Sequence, residues 1–136
     1  MKKILIALLV LAAFAPGCKK KSSPRKIDRI IKGSTWRLEK IIDSNINYSL
    51  DYNGYTFKFT EEITLAIVTP DSTINGSWDR LEDENPAILI LNTANAGPTK
   101  KLGDDWNVIF LSKDEFRLER LNDKKSPNDE CIFRKI

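Results

Sequence analysis

The chain has 136 residues, of which 41% are hydrophobic and 30% are charged. This length suits one compact domain with short tails, and the composition excludes a collagen-like, a polytopic membrane or a wholly disordered protein. Residues 18–32 carry seven bases against one acid, a net charge of +6, whereas residues 33–136 carry 13 bases against 18 acids, a net charge of −5. Because phosphate contacts dominate nucleic-acid affinity, the acidic main part of the chain argues against a nucleic-acid partner.

The N-terminal segment has the layout of a secretory signal peptide. Met1 is followed by two lysines and then by an unbroken apolar run from Ile4 to Phe14. This run is too short for a bilayer, which takes roughly 20 residues to span. Residues 1–17 are therefore predicted to be a targeting segment that is removed, rather than part of the fold.

The residues after the apolar run, Ala15-Pro16-Gly17-Cys18, resemble the lipobox of bacterial lipoproteins. In that family the cysteine becomes the mature N-terminus and carries lipid, so the resemblance implies a membrane anchor on Cys18. Lysines rather than acids follow Cys18. Among such lipoproteins this implies attachment to the outer membrane on its periplasmic side, with exposure on the cell surface as the alternative. An ordinary secretory signal and a chance cysteine are the alternatives.

A basic tether and a short helix are predicted between Cys18 and the main domain. Residues 19–24 are polar, charged and closed by a proline, as in a flexible linker. Residues 25–32 place three isoleucines at i, i+3 and i+4, with Pro24 before them and Gly33 after them. This spacing predicts one helix with a single apolar face.

From Trp36 onward, apolar and polar residues alternate with a period of two, which predicts strands. The predicted strands are Thr35–Asp43, Gly54–Thr60, Ile63–Thr69, Thr73–Arg80, Ala87–Asn92, Asp105–Ser112, Glu115–Leu121 and Glu130–Ile136. Several loops between them are very short, and such loops favour antiparallel neighbours. The sequence predicts an all-β domain over residues 33–136, an eight-stranded antiparallel up-and-down barrel, with a two-sheet sandwich as the alternative.

Large apolar side chains dominate the predicted inner face. Its aromatic members are Tyr55, Phe57, Phe59, Trp78, Trp106, Phe110, Phe116 and Phe133, and Ile63, Leu65 and Ile67 share the inner face of the third strand. An eight-stranded barrel is just wide enough to be filled by its own side chains or to hold one small ligand. The alternation of residues is compatible with a filled barrel and with a barrel that holds a ligand.

The order of several short motifs resembles the lipocalin-like domain of small bacterial envelope lipoproteins. These motifs are Gly33-Ser34-Thr35-Trp36, the segment 53–59, Gly76-Ser77-Trp78, Asp105-Trp106-Asn107-Val108 and the segment 132–136. The resemblance covers about residues 33–136. It implies a barrel with a calyx for a small or apolar molecule, and a Trp36 side chain packed against an arginine, Arg134 or Arg120.

The predicted ligand-binding residues are aromatic positions of this barrel. They are Trp36, Tyr55, Phe57, Trp78, Trp106, Phe110 and Phe133. Simple filling of the core is the alternative. The long segment Ser44–Asn53, with tyrosines on or beside it at 48, 52 and 55, is a candidate lid.

Catalysis, cofactors and metals have little support in the sequence. Histidine is absent, which removes the commonest general base and a common metal ligand. The acids of segments 82–85 and 104–105 fit solvated turns better than a cation site, and Cys131 fits a small buried hydrophobe. We therefore expect a monomeric, non-catalytic binding module for a small apolar molecule, without cofactor or metal. The alternative is a ligand-free structural module that contacts another envelope protein, for which Ile109, Leu111 and Ile132 are candidate surface residues.

Overall fold

The computed structural model describes residues 24–81, 84–94, 96–121 and 128–136. The predicted signal peptide, Cys18 and residues 19–23 of the predicted tether lie outside the described residues, as do two acids of the segment 82–85.

Within the described residues, one short helix and nine strands follow in chain order. They are α1 (Pro24–Ile31), β1 (Thr35–Asp43), β2 (Ile46–Asn47), β3 (Thr56–Phe59), β4 (Thr64–Val68), β5 (Thr73–Leu81), β6 (Ile88–Asn92), β7 (Asp104–Leu111), β8 (Glu115–Arg120) and β9 (Glu130–Lys135). Short 3₁₀ helices lie at Ser49–Tyr52 and Lys100–Leu102. The predicted helix and all eight predicted strands are present, with bounds that differ by two residues at most. Only β2 was not predicted, because two residues carry no periodicity.

The strands close into a barrel. Each of β3 to β9 is antiparallel to the strand before it in the barrel, and β1 pairs with both β3 and β9. The β1–β9 ladder runs from Trp36↔Lys135 to Ile42↔Glu130. Among the described strands, β2 pairs only with the end of β1. The eight-stranded antiparallel up-and-down barrel with a short N-terminal helix is therefore confirmed, and the sandwich alternative is wrong.

The alternating residues of the strands meet in one core. Two β-bulges interrupt this alternation, one in β1 between Leu38 and Lys40 and one in β7 between Val108 and Phe110. After the first bulge Ile41 returns to the interior and is fully buried. A bulge places one extra residue opposite the partner strand, and so it exchanges the inner and outer positions that follow it.

Ile63 is placed differently from the prediction. It precedes β4, has φ 57° and is 46% exposed, so its assignment to the inner face is wrong. The chain turns at this residue, whose carbonyl accepts the backbone N–H of Trp78 at 2.9 Å. A left-handed conformation is unusual for a β-branched residue.

Helix α1 covers one end of the barrel, called here the helix end. Ile27 and Ile31 are fully buried within the main core cluster, which confirms the predicted apolar face. Asp28 binds Arg80 of β5 at 2.7 Å, and Lys32 forms a parallel bridge with Phe59. The helix stops as Gly33 takes φ 74°, the left-handed geometry that suits glycine after a helix.

The opposite end carries the two longest connections and is called the loop end. Residues 44–55 follow β1 and residues 93–103 follow β6 at this end. The Tyr52 hydroxyl donates to the carbonyl of Pro98 at 2.6 Å, which joins the two connections. Lys101 lies over the Tyr48 ring, 4.3 Å from its centre.

Candidate functional site

Five of the predicted ligand residues form part of the core. Trp36, Phe57, Trp78, Trp106 and Phe133 are each fully buried. The rings of all of these except Trp106 contact one another or other core rings edge to face, and Phe133 stacks on Phe116 with ring centres 4.6 Å apart. Side chains of the barrel itself thus occupy the region that a calyx would take.

The three tryptophans use their polar atoms within the protein. Each indole Nε1 donates to a backbone carbonyl, Trp36 to Ile31 at 3.0 Å, Trp78 to Thr60 at 3.1 Å and Trp106 to Leu102 at 2.9 Å. A buried indole N–H needs such a partner, and with these bonds made it has none to offer a ligand. These contacts favour core packing for the tryptophans.

Phe110 lies on the outer wall, so its assignment to the inner face is wrong. It is 45% exposed, and Ile109 beside it is 43% exposed. The β7 bulge pairs Phe110 with Arg117, an exposed residue, whereas Leu111 now pairs with buried Phe116. Leu111 is therefore packed against the core, so its assignment to the candidate surface residues is wrong. The guanidinium of Arg117 lies over the Phe110 ring, 5.3 Å from its centre.

The predicted lid is folded onto the loop end. Tyr52 is 3% exposed and belongs to the core cluster, against which Tyr48 and Tyr55 also pack. Burial is the main factor that raises the pKa of the Tyr52 hydroxyl well above its usual range. The Ser49 hydroxyl accepts the N–H of Ile41 at 3.1 Å and ties the segment to β1.

An arginine closes the barrel beneath these loops. Arg120 lies over the Trp106 ring, 4.5 Å from its centre, and binds Asp43, Asp104 and Asp129. Arg134 instead binds Glu39 and Glu115, each at 2.7 Å. Among the described residues, neither arginine makes the contact with the Trp36 ring that the family resemblance implies.

A groove opens in the barrel wall between β1 and β3. These two strands pair only at Thr35↔Lys58 and Trp36↔Phe57, and they separate toward the loop end. The groove has a volume of about 270 Å³ and is lined by residues 37–39, 49–50 and 52–55. Of the predicted ligand residues, only Tyr55 lines it.

The lining combines buried apolar surface with exposed polar groups. Leu38 and Tyr52 are buried, and Tyr55 is half-buried with its ring centre 5.4 Å from that of Tyr52. Leu50 is 88% exposed and is the most exposed large hydrophobic residue of the described chain. Arg37 and Asn53 are exposed polar residues of the same lining.

Three donor-bearing side chains of the groove are uncommitted. Among the described residues, the side chains of Arg37, Asn53 and Tyr55 have neither a hydrogen-bond partner nor an ion-pair partner. Glu39, in contrast, is bound to Arg134. A groove with free donors and an apolar floor can hold a small molecule that presents acceptors, as binding sites commonly do.

Sequence reasoning did not single out Arg37, Leu50 or Asn53. Leu50 and Asn53 lie in a connection without periodicity. Arg37 lies at an outward-facing position of its strand, where a charged residue is common. The long connection directly after the first strand was the signal available. The separation of β1 from β3, which forms the groove, has no signature in either strand alone.

Other reactive groups of the described residues are placed unfavourably for chemistry. Cys131 is fully buried, and burial is the main factor that raises the pKa of its thiol above its usual range. A protonated, buried thiol is a poor nucleophile. Within the described ranges no group of three or more acidic or cysteine side chains could hold a metal ion, and no helix is both long and apolar enough to cross a bilayer.

Comparisons with known proteins add little to this picture. No family model matches the chain, and no curated protein matches it. A solved structure of an uncharacterized protein from Bacteroides eggerthii is similar with a TM-score of 0.44 and 12% sequence identity. The similarity covers 76% of this chain and 98% of that one.

Proposed function

We propose that this protein is a lipid-anchored, non-catalytic binding module of the bacterial cell envelope that takes a small molecule in its wall groove. The observation that carries the binding part is the 270 Å³ groove, in which half-buried Tyr55 stands beside uncommitted Arg37 and Asn53. The barrel axis is the weaker candidate, because Phe57 and Phe133 of the predicted calyx contact each other and Phe116 stacks on Phe133. The ligand is small, since the groove lies just below the usual range of about 300–1,000 Å³.

The anchor is supported by the sequence. The lipobox-like segment ends at Cys18, and five residues separate Cys18 from Pro24, the first residue of α1. The six Cα–Cα steps from Cys18 to Pro24 span at most about 20 Å. The helix end of a lipidated monomer would thus lie close to the membrane, here the outer membrane on its periplasmic side, and the groove would lie towards the far end.

Native mass spectrometry tests the binding function. The protein is released gently from the envelope of the producing cell, and we expect a discrete extra mass that is lost on denaturation. Tyr55→Ala should lose this mass, whereas Phe110→Ala, which removes an exposed aromatic ring elsewhere on the wall, should keep it. A bound mass that survives Tyr55→Ala would refute the groove as its site.

Membrane fractionation tests the anchor. Cys18→Ser should move the protein from the outer-membrane fraction to the soluble fraction, whereas Cys131→Ser, which changes the other cysteine, should leave it in the membrane. Retention of the Cys18→Ser variant in the membrane would refute lipid anchoring.

A protein-interaction module is the second candidate function. It is favoured by the adjacent exposure of Ile109 and Phe110 at the β7 bulge, because apolar side chains grouped on a surface often mark contact sites. A photo-crosslinking residue at Phe110 should then capture one discrete envelope protein. The same residue at Val68, which is 46% exposed on another strand, should not.

A further inference from the structure

We propose that the groove selects molecules with a single carboxylate and that Arg37 is the residue that binds it. This inference rests on the proposed binding function and names its ligand class. Charged residues form a row across β8, β9 and β1, in which Glu115 pairs with Arg134 and Arg134 lies directly opposite Arg37. Like charges in directly opposed positions of a sheet repel each other unless they are neutralised.

One of these two arginines is neutralised and the other is not. Arg134 binds Glu39 at 2.7 Å and Glu115 at 2.7 Å, and the hydrogen bond to Glu39 is the main factor that raises the pKa of Arg134. Arg37 makes no ion pair with any described residue. A carboxylate from outside the chain would complete the row at Arg37, whose planar fork of N–H donors matches it with two parallel hydrogen bonds.

The neighbours of Arg37 in the groove favour an acceptor as well. Asn53 offers an amide NH₂ and Tyr55 a hydroxyl, and neither side chain has a partner among the described residues. The exposed Leu50 and the ring of Tyr55 offer apolar contact to the rest of the ligand. A ligand with one acidic group and a short apolar chain or a single ring fits this combination of polar donors and apolar surface.

The charge of the lining favours a single negative charge over two. Glu39 lines the same groove and already belongs to Arg134. A doubly charged phosphate would meet this carboxylate as well as Arg37, and the repulsion between like charges would offset part of the attraction. A monocarboxylate is neutralised by Arg37 alone, whereas the second charge of a phosphate finds no further cation among the residues that line the groove.

Phenylacetate and phenylacetamide are the matched probes for this proposal. They have the same ring and nearly the same shape, and only the first carries a charge. Two-dimensional NMR of the purified protein follows the backbone amides of Gly54 and Tyr55 during each titration. We expect phenylacetate to bind at least fivefold more tightly than phenylacetamide, and Arg37→Gln to remove this preference. Lys58→Gln, which removes an exposed positive charge from β3 outside the groove, should retain it.

The outcomes separate this inference from the function on which it rests. If both probes shift the two amides equally, or if Arg37→Gln keeps the preference for phenylacetate, the role of Arg37 is overturned while the groove stands as a binding site. If neither probe shifts the two amides, both the carboxylate preference and the groove are overturned.

Discussion

Arg120 and Asp129 form an ion pair in which Nε and Oδ2 are 3.0 Å apart, and only 1% of the Asp129 side chain is exposed. The other oxygen of Asp129 accepts the backbone N–H of Ser44 at 2.8 Å. Burial by itself would lower the pKa of Arg120, but hydrogen bonds to Asp104 and Asp129 raise it overall. One aspartate thus joins the end of β8 to the turn that follows β1.

Arg120→Met should destabilise the protein by about 3 kcal/mol, because it leaves the buried Asp129 carboxylate without its cation. Urea unfolding followed by tryptophan fluorescence measures this change. Arg117→Met is the matched control, since the Arg117 side chain is 47% exposed in its pair with Glu115 and should cost less than about 1 kcal/mol. Equal effects of the two variants would contradict a special role for the Arg120 pair.

Alkaline pH should weaken the fold through Cys131. In the folded state burial keeps its thiol protonated above its ordinary pKa of 9.0, whereas in the unfolded chain the thiol ionises near that value. Above pH 9 the folded state therefore binds more protons, and the free energy of unfolding falls by about 1.4 kcal/mol per pH unit for this group. The pKa of the Tyr52 hydroxyl is also raised, mainly by burial, so above pH 10 this group lowers the free energy of unfolding in the same way.

Cys131→Ala separates the thiol from the other titrating groups. Unfolding measured from pH 7 to pH 11 should show a shallower decline in this variant than in the parent protein, with the difference developing above pH 9. Parallel curves over the whole range would rule out the thiol as the cause.

Ile63→Gly should stabilise the protein by about 0.5–1 kcal/mol. The left-handed conformation at φ 57° costs a β-branched residue about 1–2 kcal/mol, and glycine removes this cost. Part of the gain is offset, because glycine has more conformational freedom to lose when the chain folds. The thermal unfolding midpoint should rise by a few degrees. Val68→Gly is the control, because Val68 is equally exposed at 46% but lies in β4, where glycine weakens a strand.

Gly76→Ala should destabilise the barrel by about 2 kcal/mol. A methyl group at this position would lie 2.4 Å from the backbone carbonyl oxygen of Asn92, too close for any contact, so β5 and β6 would have to move apart. Ser77→Ala, one residue along the same strand, should cost less. Urea midpoints of the two variants give the comparison, and an unchanged midpoint for Gly76→Ala would show that the strands adjust freely.

The positions of the strands were predictable because each depends on a local alternation that begins and ends within a few residues. Ile63 and Phe110 were misplaced because a left-handed turn and a β-bulge change the facing of a side chain without altering the order of apolar and polar residues. The groove, in contrast, depends on the pairing between two separate strands. Arg37 and Asn53 line the same groove because β1 and β3 pair at only two positions and then separate. The residues of either strand alone do not indicate how it pairs with the other.

The pairing of β1 with β9 also determines when this protein can fold. Trp36 and Lys135 are partners in that ladder, so closure joins two segments almost a hundred positions apart, and such high contact order slows folding. A ribosome-bound or partly exported chain that lacks its last residues would leave the edges of β1 and β8 open to pairing with other chains. Under the export that we propose for this protein, the delay would be an advantage, because the barrel could not close until its C-terminal strand had crossed the membrane.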